Sequence, residues 1–398
     1  MQCNSERCSE YQPCNVTRNA VPTCQPSKQL QSQNNFPLFY HIPEKPHKLH
    51  PIFKQKKSMS KKSISVGLIG FGLSGRYLIA PFLNHNPHFQ LKTVVQQRAL
   101  NAHHIFPQVK STHERSDILN DPEIDLVIIS SPNETHYEYA LEALQANKHV
   151  LVEKPMTATS QQARHLIEVA KQKNKVLTVY QNRRFDGGAK TVKEIIQKGL
   201  LGHILSYEAH FDRWVPNLNP KKWKEIPHPS NGILYDLGSH LIDEALTLFG
   251  SPHSFTGEVF TQRNQSNIDD AFDLRLNYGN LKVHLRASLL VREQGPRYII
   301  HGTKGSFIKY GLDPQEETLK SGLNPDAKGF GHDSPQNYGV LNTDINDLHF
   351  NGRIETLPGN YGLFFQNLYE AIIGDSSLSV PPEEVVEQIQ IMEQIKRE

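Results

Sequence analysis

The stretch ISVGLIGFGLSG, residues 64–75, constrains the fold of this chain more than any other. Its apolar run predicts a buried parallel strand, and a G-x-G-x-x-G pattern begins where that strand ends. In this setting Gly70 permits a tight turn, Gly72 lets the backbone approach a pyrophosphate, and Gly75 lets the next helix pack on the strand. The stretch therefore predicts a dinucleotide-binding unit, in which Pro81 should kink or shorten the first helix.

The end of the second predicted strand bears on which dinucleotide binds. FQLKTVV at 89–95 is followed by QQR, and no carboxylate occurs from Arg76 to His113. An NAD site usually places an acidic residue there to bond the adenosine ribose, whereas a guanidinium suits the 2′-phosphate of NADP. We therefore predict NADP, with NAD less favoured, and expect Gln97 and Arg98 at this end of the site. A solvated Arg98 with no role is the alternative.

Strand and helix patterns keep alternating after this point, which predicts a doubly wound sheet. DLVIISSP at 125–132 and HVLVEKP at 149–155 read as buried strands, separated by the helical pattern YEYALEALQAN. Ser131 and Pro132 then lie at the carboxyl edge of the sheet, where such sheets bind ligands. Lys154 emerges from the next strand end. A lysine there is usually solvated, but at the mouth of a nucleotide cleft it becomes a candidate acid or hydrogen-bond donor.

A second group of titratable residues lies in YDLGSHLID, residues 235–243. Asp236, His240 and Asp243 are spaced by four and three, which places them on one helical face. Such a stripe can make internal hydrogen bonds, can hold a metal ion, or can perform acid–base chemistry. No partner motif such as H-E-x-x-H accompanies it, so we expect no metal.

Charge and cysteine placement exclude several classes of protein. The 43 basic and 41 acidic residues give a net charge of +2, which argues against a nucleic-acid or anionic-membrane partner. No apolar run approaches the roughly 18 residues needed to span a bilayer. All four cysteines lie at or before Cys24. A cysteine-free remainder suits a reducing compartment, so we expect a cytoplasmic protein.

The first 60 residues differ in character from the rest. They are rich in Gln, Asn, Ser and Pro and show no apolar period. Such a segment buries too little apolar surface to offset the entropy of ordering, so we expect a disordered extension. MSKKSISVGLIGFG, from Met59, has the form of a normal start, and we expect the working protein to begin near it.

Taken together, the motifs GFGLSG, SPNETH (131–136), EKP (153–155) and YDLGSHLID resemble, in order and spacing, the Gfo/Idh/MocA family of NAD(P)-dependent oxidoreductases. The likeness covers residues 63–398. Three further segments resemble the subgroup that contains NADP-dependent scyllo-inositol dehydrogenase: YQNRRFD at 180–186, HFDRW at 210–214 and RYIIHGTKGSFIKYGLDPQEE at 297–317.

The resemblance implies a fold of two domains in the α/β class. A Rossmann domain over 61–182 is followed by an α/β domain over 183–398, whose large, mostly antiparallel sheet supports the substrate pocket and a homo-oligomer contact, in a dimer or tetramer. The sequence agrees, since extended runs such as DAFDLRLNY and LKVHLRASLL replace the earlier alternation of strand and helix.

The resemblance also assigns roles to residues. Lys154, Asp236 and His240 form the catalytic group, with His240 as general base, Lys154 bonding the reacting oxygen and Asp236 orienting substrate or imidazole. Arg183, Arg213 and Trp223 join Asp236 and His240 as expected substrate contacts. The expected cofactor contacts are Gly70, Gly72, Leu73, Ser74, Gly75, Gln97, Arg98, Ser131, Pro132, Asn133, His136, Glu153 and Lys154. No metal is implied.

The expected substrate is an inositol or related cyclic polyol, oxidised by hydride transfer to nicotinamide. A sugar ketone or aldose is one alternative, and an NADP-binding sensor without turnover is another. The chain departs from the subgroup at Leu78 and Ile79, where an aromatic–His pair is usual, which puts any contact from there in doubt. It also stops at QIKRE earlier than the family leads us to expect.

Overall fold

The computed structural model describes residues 63–397, except for the side chains of Lys222 and Trp223. The extension expected to be disordered, residues 1–60, lies outside the described residues. Within the described part, no helix is long and apolar enough to cross a membrane.

The first half of the described chain forms a parallel sheet of six strands, in the order β3-β2-β1-β4-β5-β6. Central strands covered on both faces are mostly apolar, and every residue of β4 is both apolar and buried. The predicted doubly wound sheet is confirmed. Its strands are β1 (Ile64–Ile69), β2 (Phe89–Val95), β3 (Lys110–Thr112), β4 (Leu126–Ile129), β5 (His149–Glu153) and β6 (Leu177–Tyr180).

Helices connect these strands. The one that follows the glycines is divided near Pro81, as predicted: a π-helical turn, Ser74–Ile79, changes to α-helix at Ala80 because Pro81 has no N–H for the ladder. Thr159 caps the longest helix of this half with a reciprocal bond to Gln162. The helices are α1 (Ala80–His85), α2 (Ala102–Ile105), α3 (Ser116–Leu119), α4 (His136–Gln145) and α5 (Ser160–Gln172), with a 3-10 turn at Asn133–Thr135.

The second half forms a sheet of eight strands in the order β14-β13-β12-β11-β7-β10-β9-β8. Within the described residues β7 and β10 run parallel and the other neighbouring pairs run antiparallel. The expected large, mostly antiparallel sheet is confirmed. Its strands are β7 (Ile204–His210), β8 (Ser254–Phe260), β9 (Ala271–Tyr278), β10 (Leu281–Ser288), β11 (Tyr298–Gly302), β12 (Gly305–Lys309), β13 (Gly339–Ile345) and β14 (Leu348–Ile354).

The helices of the second half include one that begins with a π-helical turn, Leu234–Gly238, and continues as α7 (Ser239–Phe249). We retain 182/183 as the proposed domain boundary, since the chain leaves β6 before it and enters β7 after it. The other helices are α6 (Gly187–Gln197), α8 (Gln315–Lys320), α9 (Gly362–Ile372) and α10 (Pro382–Arg397), with 3-10 turns at Asn182–Phe185, Lys222–Glu225 and Pro335–Asn337.

The last two helices return to the first sheet, so both halves share one hydrophobic core. Phe365 of α9 stacks on Phe82 of α1 with ring centroids 5.4 Å apart. Helix α10 packs against α5, α7 and β8. Its buried Gln388 accepts a hydrogen bond from Gln181 Nε2 (2.9 Å) and donates one to the carbonyl of Ser239. This side chain therefore ties the end of the first sheet to the start of α7.

Candidate active site

The three glycines of the first turn meet different surroundings. Gly70 has φ +98°, and a Cβ added there would lie 2.3 Å from the carbonyl oxygen of Ser130. A Cβ on Gly75 would lie 2.3 Å from the carbonyl oxygen of Gly70, whereas a Cβ on Gly72 would meet nothing within 4 Å. The first and third glycines are thus required by protein packing, and the second leaves open space beside the start of a helix. A pyrophosphate fits that space, because helix N-termini direct N–H groups at anions.

Gln96 fixes the loop at the end of β2. Its buried amide donates to the carbonyl of Ala99 (2.7 Å) and accepts from the N–H of Ala102 (2.9 Å). The two residues that follow it, Gln97 and Arg98, are exposed. Arg98 therefore follows the carboxyl end of β2 and is accessible to a ligand.

The loop after β4 is held by polar contacts within the protein. Ser131 Oγ lies 2.6 Å from Thr135 Oγ1, the carbonyl of Pro132 accepts from Thr135 N at 2.9 Å, and Asn133 Nδ2 donates to the carbonyl of Ser230 at 2.8 Å. The ring of His136 is fully buried, with its nitrogens 2.7 Å from the carbonyl of Pro155 and 3.0 Å from that of Ser131.

His136 therefore has no exposed atom with which to contact a cofactor, contrary to the expectation from sequence. Its role is structural, because its ring nitrogens join the loop after β4 to the loop after β5.

The glycine turn and the end of β5 are joined by a carboxylate. Glu153 accepts a hydrogen bond from Ser74 Oγ and another from Lys154 N (2.9 Å). Burial raises the pKa of Glu153, and the charge of Lys154 and these bonds offset only part of that rise. Leu73, whose residue surface is 43% exposed, stands at the mouth beside Gly72. Ser74 and Glu153 thus fix the cleft wall through each other, and Leu73 is free to pack against a ligand.

Lys154 and Asp236 meet directly. The ammonium Nζ lies 2.9 Å from Asp236 Oδ1 and 2.7 Å from the backbone carbonyl of the same residue. The Lys154 side chain is 16% exposed and that of Asp236 is 46% exposed, so the carboxylate faces an open space. Lys224 Nζ lies 3.8 Å from the other carboxylate oxygen. Partial burial disfavours the charge, but Lys154, Lys224 and Arg213 together hold the pKa of Asp236 far below its ordinary value.

His240 lies one helical turn after Asp236 and is 6% exposed. Its Nδ1 has no hydrogen-bond partner among the described residues. Burial lowers the pKa of His240 well below its ordinary value, and the positive charges of Lys154 and Arg183 lower it further. The imidazole is therefore neutral near pH 7, and its Nδ1 is buried from solvent. A neutral imidazole of this kind can accept a proton.

Asp243, the third member of the stripe, has a structural role. Arg184 binds it with two bonds, of 2.8 and 2.6 Å, and also reaches Glu384 of α10 at 2.8 Å. Since Arg184 occupies both of its oxygens, Asp243 is not available beside Asp236 and His240. Among the described residues, no group of three or more His, Cys, Asp or Glu side chains could hold a metal ion.

Three arginines surround the ring of Phe211. The guanidinium carbons of Arg183, Arg213 and Arg297 lie 5.6, 5.4 and 5.1 Å from its centroid. Arg297 pairs with Glu244 (2.6 Å). Arg213 is half-buried and makes no ion pair within the described part of the chain. Its guanidinium is therefore better placed than those of Arg183 and Arg297 to bind a ligand.

Arg183, expected to contact substrate, is instead engaged by the protein. Its nitrogens lie 2.6 Å from Glu316 Oε2 and 3.2 Å from the hydroxyl of Tyr361. The side chain of Trp223 lies outside the described residues. Leu78 and Ile79 stand where the subgroup usually has an aromatic–His pair. Both side chains are buried in the core and do not line the cleft.

Sequence reasoning missed two contributors to this site. Lys224 follows Trp223 in a short 3-10 turn, and Glu316 lies in the quoted DPQEE segment without having been given a role. Glu316 could have been predicted as a site residue, because it is a charged residue within a segment already matched to the subgroup.

The arrangement as a whole provides a lysine cation, a carboxylate and a neutral imidazole at the carboxyl edge of a sheet that leaves room for a dinucleotide. Such a set can take a proton from a hydroxyl while a hydride leaves the same carbon.

Comparison with known proteins finds two matching family descriptions. Residues 64–181 match an oxidoreductase family, NAD-binding Rossmann fold, of the Gfo/Idh/MocA type. Residues 193–398 match the C-terminal alpha/beta domain of the same family.

Individual relatives cover most of the chain. Scyllo-inositol 2-dehydrogenase (NADP(+)) IolW of Bacillus subtilis is 38% identical over 331 residues, which are 83% of this chain and 92% of that protein. D-glucoside 3-dehydrogenase of Escherichia coli is 29% identical over 225 residues, 52% of this chain and 62% of that protein. The solved structure of oxidoreductase yvaA from Bacillus subtilis superposes with a TM-score of 0.82 at 38% identity, covering 85% of this chain and 96% of that one.

Proposed function

The chain belongs to the Gfo/Idh/MocA oxidoreductases and is an NAD(P)-dependent dehydrogenase acting on CH–OH groups, and from this premise we propose that it oxidises an inositol or related cyclic polyol with NADP. The observation that carries the proposal is the contact of Lys154 with Asp236 beside the buried, neutral His240. The reaction is reversible, so the same site reduces the corresponding ketone.

In the proposed reaction each residue of this group has one task. His240 accepts the proton of the reacting hydroxyl, and its neutral imidazole, one helical turn after Asp236, is the observation in favour. Lys154 donates a hydrogen bond to the same oxygen and stabilises the negative charge that develops there. Asp236 holds the ammonium of Lys154 in place and presents an open oxygen to the substrate. Bound NADP supplies the hydride acceptor.

Three observations support NADP over NAD. Arg98 is exposed at the end of β2, and no carboxylate occurs from Arg76 to His113 to bond a free ribose. The relative IolW is an NADP(+) enzyme by its name. We expect Arg98→Ala to weaken NADP binding about 10- to 100-fold, the effect of losing charge-assisted bonds, while NAD binding is unchanged.

A cyclic polyol is the proposed substrate class because IolW acts on scyllo-inositol. Arg213, whose guanidinium has no ion-pair partner within the described residues, is proposed to bind its hydroxyls, together with Trp223. A sugar is the second candidate, supported by the names of levoglucosan dehydrogenase of Pseudarthrobacter phenanthrenivorans and D-glucoside 3-dehydrogenase among the relatives. The sensor alternative receives no such support. We also propose a homo-oligomer, which light scattering would test.

The experiment offers the full chain NADP or NAD with a panel of inositols and sugars and follows absorbance of the reduced nicotinamide. His240→Ala is compared with His165→Ala, an exposed histidine on α5. Turnover of an inositol with NADP that is lost in His240→Ala alone, with NADPH binding retained, supports the proposal. Turnover of sugars but of no cyclic polyol contradicts the substrate class, and turnover that survives in His240→Ala contradicts the assigned base.

A further inference from the structure

Helix α8 comes from the second half of the chain but packs against the π-helical turn Ser74–Ile79, which follows the glycines. Its position is fixed by buried polar contacts. Gln315 is fully buried and accepts from Tyr361 N at 2.8 Å, and the carboxylate of the preceding Asp313 accepts from Gly187 N at 2.7 Å. This helix therefore forms a rigid wall close to the cofactor turn.

Glu316 is a half-buried acidic residue of α8. Its side chain is 20% exposed, with Oε2 2.6 Å from Arg183 and Oε1 2.7 Å from Lys320. Burial opposes ionisation, but Arg183, then Lys320 and Arg213, hold the pKa of Glu316 below its ordinary value. The neighbouring Glu317 is 80% exposed and bonds Lys320 alone among the described residues. Glu316 is thus a fixed, ionised acceptor and Glu317 a surface residue.

The ring of Phe211 connects Glu316 with the reacting group. Arg183, whose Nη2 lies 2.6 Å from Glu316 Oε2, and Arg213 have their guanidinium carbons 5.6 and 5.4 Å from the centroid of this ring. The ring centroid of His240 lies 6.3 Å from the same point. A substrate held at Lys154, Asp236 and His240 would therefore meet Arg213 and then Glu316 as it extends away from the reacting carbon.

We propose that Glu316 determines substrate specificity: its carboxylate accepts a hydrogen bond from a ring hydroxyl other than the one oxidised. This inference rests on the proposed function. A carboxylate offers about four acceptor positions, and the two cations occupy two of them. Because a hydroxyl both donates and accepts, Glu316 and Arg213 together match two hydroxyls of a polyol. A substrate carboxylate at the same place would meet the like charge of Glu316.

The test compares Glu316→Ala with Glu317→Ala, a matched change on the same helix, using whichever CH–OH substrate the wild-type enzyme oxidises best. Loss of a bond to a charged group raises KM about 10- to 100-fold in Glu316→Ala, with NADPH affinity unchanged. Glu317→Ala keeps the wild-type KM. Glu316→Gln, which retains the shape and an acceptor for Arg183, guards against a folding defect in the alanine variant. Wild-type KM in both Glu316 variants overturns the inference.

Substrate contact is separated from a purely structural role by substrates that lack one non-reacting hydroxyl. If Glu316 binds that hydroxyl, one deoxy analogue reacts poorly with the wild-type enzyme but suffers little further loss in Glu316→Ala, since the two deletions remove the same bond. Equal losses for every analogue would overturn the inference. These readouts are distinct from failure of the proposed function, in which the wild-type enzyme oxidises sugars but no cyclic polyol.

Discussion

His240 gives the site its expected response to pH. The base works when neutral, so kcat/KM rises with pH through its pKa, and burial with the charges of Lys154 and Arg183 lowers that pKa well below its ordinary value. We predict that the acidic limb of kcat/KM for polyol oxidation lies below the ordinary histidine pKa of about 6.5, measured in constant-ionic-strength buffers from pH 4.5 to 9. An acidic limb at or above pH 7 that disappears in His240→Ala would contradict this assignment.

A second prediction at the scale of single residues concerns Gly70 and Gly72. Gly72→Ala places a methyl group in open space, so the protein should unfold at the wild-type temperature but bind NADPH at least about tenfold more weakly, as measured by fluorescence titration. Gly70→Ala, at φ +98° and against the Ser130 carbonyl, should lose about 2 kcal/mol or more of stability. Equal effects of the two changes on stability would show that Gly72 is also needed for packing.

At the scale of elements, the junction of β5 and β6 contains a pH-sensitive bond. His149 Nδ1 accepts from Val176 N at 3.0 Å, and burial, with a smaller effect of Lys175, lowers the pKa of His149 to about 4. The folded protein therefore binds fewer protons than the unfolded one. The neutral ring of His149 contributes stability that is fully present above about pH 6.5 and is lost as pH falls toward 4.

Between pH 7.5 and pH 5, we expect the free energy of unfolding to fall more in the wild-type protein than in His149→Gln. The expected difference is about 1 to 2 kcal/mol, which allows for the partial exposure of His149. Urea unfolding at the two pH values measures this. Parallel losses in both proteins would assign the pH dependence to other groups.

The elements also differ in how well the sequence predicts them. The strand ends that carry Gly70, Ser131 and Lys154 were predicted because buried parallel strands are local apolar runs with clear limits. The spacing of Asp236, His240 and Asp243 predicted one face, but it held no information on Arg184, a distant residue that binds Asp243. His136 was expected at the cofactor, since its position after a strand end does not reveal that the ring turns inward. Glu316 was missed because its place depends on α8 crossing to the other half.

At the scale of the whole molecule, helix α10 connects the two halves near the site. Its Gln388 bonds Gln181 at the end of β6 and the carbonyl of Ser239 at the start of α7, and all three are buried. We predict that Gln388→Met, which keeps the volume but leaves these groups unpaired, lowers stability by about 2 to 4 kcal/mol.

The same change should lower kcat, because α7 carries His240. Thermal or urea unfolding and steady-state kinetics measure both effects, and Gln390→Met, an exposed position on the same helix, is the matched control. Unchanged stability in Gln388→Met would mean that apolar packing alone holds α10 in place.

The position of α10 in the chain also has a consequence during protein synthesis. Strand β6 ends at Tyr180 and α10 begins at Pro382, so roughly 200 residues are translated between them. At about 5 to 20 residues per second this takes roughly 10 to 40 seconds. During that interval the nucleotide-binding half has all its strands, but the surface that α10 will cover is bare. We therefore expect this half to expose that apolar surface on the ribosome until α10 has been translated.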